Sequence, residues 1–285
     1  MKTLLSSFAA RRSLLLAVVL APSMALALGG CPADDELTAE EAAEATQEIS
    51  DASQASSIAE GTVELTTSFT LGGAAADAAE EIRAFVVSQL PCAMVERQDN
   101  TVTITYGANP GNCTFHGQTF SGSHTVTVER TDENDVLVHH TWDQLSNGRV
   151  EVSGTADVTW DLDAKSRHVV HELEWTHLES GRMGVGSGDR VQTAIDGAWV
   201  NGININGERD WTGQRGTWHL DIDDVDWRWQ DPVPEDGTYS LDTPASKHVT
   251  MTFERVDEST ILVLVSGPRR DYRFRVKSSG AVESE

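Results

Sequence analysis

The sequence predicts a mainly β protein, an antiparallel up-and-down meander forming a strongly curved sheet or barrel with one packed amphipathic helix near its N-terminus. From about residue 100 onward, apolar and polar residues alternate with a period of two, as Val102, Ile104 and Tyr106 do. Turn signals separate these runs, including Asn-Gly at 147–148 and 206–207 and Asp-Gly at 236–237. Such pairs favour tight hairpins. The sequence between these runs shows no helical pattern. Parallel strands need a long crossover connection, which is usually a helix, so we expect antiparallel pairing.

A loose glycine-rich repeat supports a curved sheet. The segment from Gly148 to Gly154 has relatives that begin at Gly117, Gly181 and Gly207, each followed by an alternating run. We interpret the second glycine of each unit as a bulge or kink point, where a missing side chain lets a long strand bend.

The first thirty residues have the pattern of an export signal. Three basic residues precede an apolar run over residues 13–28, which is about the length of a signal-peptide core and short for a membrane span. The run ends at Leu28, Gly29, Gly30 and Cys31. This tetrapeptide resembles the lipobox of bacterial lipoproteins. The resemblance implies that residues 1–30 are removed and that Cys31 becomes the lipidated first residue and the membrane anchor.

The mature chain is expected to begin with an acidic flexible tether over residues 31–60. Acidic residues recur there without any base, and Thr38 with Glu41 forms a possible capping box. Only Ile49 and Ile58 are large apolar residues in this stretch, too few for a buried helical face. The β-rich domain is then expected to span residues 61–285.

One amphipathic helix is predicted at about residues 74–90, within that domain. Its small and apolar residues fall on one helical stripe opposite its charged residues, and Pro91 ends it. Beyond it, Cys92 and Cys113 remain as an even pair. In an oxidising compartment we expect them to form a disulfide.

Net charge and a second resemblance limit the classes of partner that we expect. The chain has 285 residues with 45 acidic against 21 basic, a net charge of −24, which argues against nucleic acid. The stretch over residues 101–107, followed by Cys113, Gly117 and Gly122, resembles β-rich bacterial lipoproteins of unassigned function. These resemblances imply the periplasmic or cell-surface face of the outer membrane, with a protein or glycan partner left open.

A metal site is one hypothesis for chemistry. His219, Asp221 and Asp223 would share one face of a strand, and a bulge near Asp224 could gather Asp226 and its neighbours around calcium. The alternative is a solvated acidic turn, and no cofactor is otherwise expected.

The tryptophans offer a second hypothesis. All eight lie beyond residue 140 on alternating strands, as core aromatic residues of a sheet would. Alternatively, Trp175, Trp218 and Trp227 line a pocket for an apolar or carbohydrate molecule.

The sequence thus favours a non-catalytic, lipid-anchored envelope protein with a structural or interaction role. A ligand-binding barrel is the first alternative. A metal-dependent hydrolase centred on His219 and Asp221 is the second.

Overall fold

A computed structural model describes residues 36–67, 74–130, 136–161 and 166–285. Residues 1–30, predicted to be a signal peptide, and Cys31 lie outside the described residues. Two α-helices precede the strands, α1 at Ala39–Leu65 and α2 at Ala75–Gln89. The strands are β1 Met94–Gln98, β2 Thr101–Tyr106, β3 Thr114–Phe115, β4 Gln118–Thr119, β5 Ser121–Arg130, β6 Val136–Ser146, β7 Val150–Asp161, β8 Ser166–His177, β9 Met183–Ala194, β10 Ile203–Gly213, β11 Gly216–Trp227, β12 Asp236–Asp242, β13 His248–Asp257, β14 Thr260–Ser266, β15 Asp271–Lys277 and β16 Val282–Ser284.

The strands form the predicted antiparallel meander. Fourteen of them pair in the order β1-β2-β5 through β16, so sequence neighbours are sheet neighbours, while β3 and β4 form a separate small hairpin. The order has two ends, β1 and β16, so the sheet is not closed into a barrel. Register shifts lie beside Gly122 and opposite Gly154, as the repeat predicts. At Gly188 and Gly213 the pairing stays in register, so the repeat does not mark a bulge there.

Helix α1 lies in the core of the sheet. Its 27 residues are buried along nearly the whole length, and its partners come from strands far apart in the meander. Trp142 Nε1 of β6 donates to Thr62 Oγ1, Arg209 of β10 donates to the Ala52 carbonyl, and Ser50 Oγ donates to the Gly280 carbonyl beyond β15. The sheet therefore wraps around this helix.

The prediction of a flexible tether is wrong for residues 39–60, and the expected domain boundary at residue 61 falls inside α1. The helix begins with the capping box proposed above: Thr38 Oγ1 accepts from the Glu41 backbone N–H at 3.2 Å, and the Thr38 N–H donates to Glu41 Oε2 at 2.8 Å. Its buried surface consists mainly of alanine, serine and threonine. Such small side chains let the surrounding backbone approach closely on every side, so a wide stripe of large apolar residues is not needed.

Helix α2 confirms the predicted helix at 74–90. Its buried residues Ala78, Ala79, Ile82 and Val86 form the expected stripe, which packs toward β1, β2 and β5. The structure joins Cys92 to Cys113 in a disulfide with Cα atoms 5.4 Å apart, the pairing that the cysteine count predicts. This bond fastens the end of α2 to the loop before β3. None of the described helices is long and apolar enough to cross a bilayer.

Candidate functional site

The inner face of the sheet carries a buried ionic network around Glu60 of α1. Arg190 Nη2 donates to Glu60 Oε1 at 2.8 Å, and Gln192 Nε2 donates to the same oxygen at 2.9 Å. Arg167 Nη2 donates to Glu60 Oε2 at 3.2 Å, while its Nε donates to Gln192 Oε1 at 2.7 Å. The guanidinium of Arg167 also lies over the ring of Trp199, 4.5 Å from the ring centre. Glu64 of α1 adds a second carboxylate, 3.8 Å from Arg167 Nη1. Helix and sheet are therefore joined by charge as well as by packing.

His171 completes this network as a neutral acceptor. It is buried, and its Nδ1 lies 3.0 Å from Arg190 Nη2. Burial lowers the pKa of His171 well below its ordinary value, and the positive charges of Arg190 and Arg209 act in the same direction. A neutral imidazole can accept the hydrogen bond that the guanidinium donates.

A second buried group contains stacked aromatic rings. His124 Nε2 lies 3.0 Å from His140 Nδ1, and both rings stack with Trp142. Tyr106 Oη is 3.3 Å from His124 Nδ1. Burial lowers the pKa of His124 to about 3 and that of His140 well below its usual range. These histidines are uncharged core residues at neutral pH.

The glycines of β9 make room for rings from both neighbouring strands. A Cβ atom on Gly184 would lie 2.3 Å from Trp175 Cζ2, and one on Gly188 would lie 2.3 Å from His171 Cε1. At Gly186 an added Cβ would lie 2.5 Å from Trp211 Cβ. The alternating glycines therefore form a trough on the inner face, a packing role that explains this part of the repeat.

The outer face of β7 to β11 is acidic, whereas the inner face carries the arginines described above. None of its outward positions is a lysine or an arginine, because every arginine of these five strands points inward. Carboxylates occupy many of these positions, among them Glu151, Asp157, Glu172, Glu174, Asp189, Glu208, Asp210, Asp221 and Asp223. We refer to this surface as the acidic face.

Histidines on the outside of the sheet pair with aspartates of neighbouring strands. His219 Nδ1 lies 2.8 Å from Asp210 Oδ1, and this hydrogen bond raises the pKa of His219. Similar pairs join neighbouring strands elsewhere, namely His139 with Asp157, His168 with Asp189, and His248 with Asp242.

The proposed metal ligands divide into separate groups. His219 and Asp221 do meet, and Glu208 joins them, with one ligand atom from each lying within 4.8 Å of the others. Asp224 lies at the predicted break in register, with φ of 50°, but its carboxylate and that of Asp226 both accept from the Asn204 amide at 2.9 Å. Within the described residues, Asp223 belongs to neither group. A calcium site built from the whole acidic run is therefore not assembled.

The remaining cluster of Glu208, His219 and Asp221 lies on the acidic face. Carboxylate oxygens and an imidazole nitrogen are able to bind a divalent cation. The surface depressions described below are lined by other residues.

The three tryptophans proposed as ligand contacts are buried and lie apart. Trp227 Nε1 donates to the Asp231 carbonyl at 2.9 Å, and Trp218 stacks on Trp211 with ring centres 6.1 Å apart. Trp218 lines a depression of about 500 Å³ beside Pro244. Trp175 lines another of about 500 Å³ on the opposite side of β10. Helix α1 occupies the interior that a ligand-binding barrel would need.

The sequence reasoning missed the inward arginines and Glu60. A usable signal was present in β8, where Arg167 has the same parity as Val169, His171, Leu173 and Trp175. The same parity applies to His171, which is buried and hydrogen-bonded to Arg190, and to His177, which is half-buried. No family model, curated protein or solved structure matches the chain.

Proposed function

We propose that the chain is a lipid-anchored protein of the bacterial cell envelope, and that its sheet domain has a non-catalytic structural or interaction role. The support for the anchor is the tetrapeptide that ends at Cys31, with the basic and apolar residues before it. The support for the role is the placement of α1, which fills the interior and leaves the outer surface of the sheet for partners.

The position of α1 also changes how the domain would be held. Leu37 already packs in the core, so only about six residues separate it from Cys31. An extended chain of that length reaches roughly 20 Å. The sheet domain would thus be held next to the membrane, and its acidic surface would be repelled by anionic lipid headgroups.

Acylation of Cys31 can be tested in a bacterial host that processes lipoproteins. Cells are fed a clickable fatty acid, and the purified protein is examined by gel fluorescence and intact mass. We expect the parent chain to lose residues 1–30, to gain the mass of diacylglycerol and a further acyl chain, and to partition into detergent. The Cys31→Ser variant should retain none of the label.

A parent protein that carries residues ahead of Cys31, or a mature chain without lipid mass, would refute the anchor. Equal labelling of the parent and the Cys31→Ser variant would refute the assignment of the anchor to this cysteine.

A further inference from the structure

Strand β9 exposes large apolar side chains in the middle of the acidic face. Met183 is 58% exposed and Val185 51%, and Val191 near the other end of the strand is 47% exposed. Val170 of the adjacent β8 is 41% exposed and lies diagonally opposite Val191, because its direct partner on β9 is Asp189, two residues before Val191. We call these four residues the apolar stripe. Exposed apolar groups that share one face often mark an interaction site.

Carboxylates flank two members of the stripe, whereas Val191 lies between His168 and Asn206. Val185 lies between Glu174 of β8 and Thr212 of β10, and Val170 lies between Asp157 and Asp189. Glu172, Glu208 and Asp210 occupy the rows between these positions. No lysine or arginine occupies the neighbouring outward positions. Asp157, Asp189 and Asp210 contact histidines of adjacent strands, so histidine is the basic residue type beside these carboxylates.

A depression of about 500 Å³ marks one end of the stripe. Its walls combine apolar and acidic groups: Trp175, Met183 and Val185 with Glu151 and Glu174. Two arginines in neighbouring turns pair with α1: Arg182 with Glu44, Glu48 and Asp51, and Arg215 with Glu44. A lysine or arginine side chain is complementary to this depression, since its aliphatic stem packs on apolar surface while its charged end contacts carboxylates.

We propose that the apolar stripe and its flanking carboxylates bind a cationic amphipathic segment of a partner protein. The outward residues from Met183 to Val191 span roughly 27 Å along the strand, which corresponds to about eight residues of an extended segment. Lysine or arginine side chains of that segment meet Glu174 and the acidic rows, and its apolar side chains cover Val185 and Val191. This inference rests on the interaction role proposed above and names the chemistry of the partner.

The probe is a fluorescein-labelled 14-residue peptide of leucine and lysine, titrated with the purified full-length protein in a nonionic detergent. Binding is followed by fluorescence anisotropy. We expect saturable binding that weakens as salt is added, because exposed charges are screened. The double variant Val185→Thr/Val191→Thr should weaken binding about fivefold, since it removes apolar contact while keeping side-chain shape. The variant Glu174→Gln should weaken it as well.

Matched controls lie outside the acidic face. Val256 of β13 is also 47% exposed, so Val256→Thr tests whether replacing any exposed valine weakens peptide binding. Glu254→Gln on the same strand tests whether removing any exposed carboxylate weakens it. Both controls should bind like the parent. Circular dichroism and thermal unfolding establish that every variant is folded.

Equal affinity of the stripe variants and the parent would overturn the proposal. So would an equal loss in the controls, or an oligolysine peptide that binds as tightly as the leucine–lysine peptide. The Cys31→Ser protein should bind the probe like the parent. Failure of the anchor and failure of the stripe are therefore observed separately.

Discussion

The two faces of the same strands hold opposite charges. On the inner face of β8, β9 and β10 lie Arg167, Arg190 and Arg209, while the outward positions of these strands carry carboxylates and no lysine or arginine. Glu60 of α1 compensates Arg167 and Arg190, Glu64 also faces Arg167, and the Ala52 carbonyl of the same helix accepts from Arg209. The outer carboxylates face solvent. Alternation along a strand therefore sorts the charges of this acidic protein, with the positive ones directed at the central helix.

The ionic network at the centre of the inner face should give the largest mutational effect. Glu60→Gln removes the charge between Arg167 and Arg190 while keeping the shape of the side chain. Breaking a buried pair leaves an uncompensated buried charge, so we expect a loss of about 3–5 kcal/mol in the free energy of unfolding. Urea denaturation followed by tryptophan fluorescence measures it.

The matched control is Glu40→Gln, an exposed carboxylate in the first turn of the same helix. Its cost should stay below about 1 kcal/mol. Similar stability of the two variants would mean that the buried network does not hold α1 in the sheet.

A substitution in the glycine trough should have the next largest effect. Gly184→Ala places a methyl group where the ring of Trp175 now lies. Overpacking of this kind costs about 1–3 kcal/mol. The outward-facing Ser187→Ala on the same strand should be nearly neutral. Thermal unfolding of both variants tests the difference, and equal melting temperatures would argue against the trough.

The histidines of the two faces should also contribute to stability with different pH dependence. The buried histidines His124, His140 and His171 have pKa values depressed by burial, whereas unfolded histidine titrates near 6.5. The unfolded chain takes up these protons first. Stability is then fully present above about pH 6.5 and is lost as the pH falls toward the folded pKa.

The variant His171→Gln keeps an acceptor for Arg190 but removes one titrating group. The slope of unfolding free energy against pH between 6 and 5 should flatten by up to about 1.4 kcal/mol per pH unit. Carboxyl groups with raised pKa titrate in both proteins and cancel in the comparison. An unchanged slope would show that His171 is protonated in the folded protein.

The smallest expected effect is on the outer face. There, the contribution of His219 to stability depends on pH with the opposite sign to that of the buried histidines. Its hydrogen bond to Asp210 raises the pKa of His219, so its contribution is present below about pH 6.5 and is lost as the pH rises through the folded value. Asp210→Asn should lower the pKa of His219 in an NMR titration, whereas Glu254→Gln on β13 should leave it unchanged. A pKa that does not move in Asp210→Asn would remove Asp210 as the cause.

Strand periodicity was enough to predict the meander, the helical stripe predicted α2, and the cysteine count predicted the disulfide. Turn chemistry was right at Asn147 and Gly148, which join β6 to β7. It was wrong at 206–207, which lie inside β10, and at 236–237, which begin β12. Sequence reasoning failed at α1 because the prediction counted large apolar residues. This helix is buried through small residues, and the partners that satisfy its polar groups lie more than a hundred positions along the chain, as Arg167 and Arg190 do for Glu60. The metal hypothesis was right that His219 and Asp221 meet. It could not foresee Glu208, which depends on the β10–β11 register, or the Asn204 amide that accounts for Asp224 and Asp226.

Hydrogen exchange of the backbone amides of residues 45–60 tests the placement of α1 most directly. If the helix is the core around which the sheet folds, these amides exchange only through global unfolding and are as protected as those of β7 and β8. Exchange within seconds at neutral pH, while the strands remain protected, would show that residues 45–60 are a solvated tether. Glu60 would then not be buried between Arg167 and Arg190.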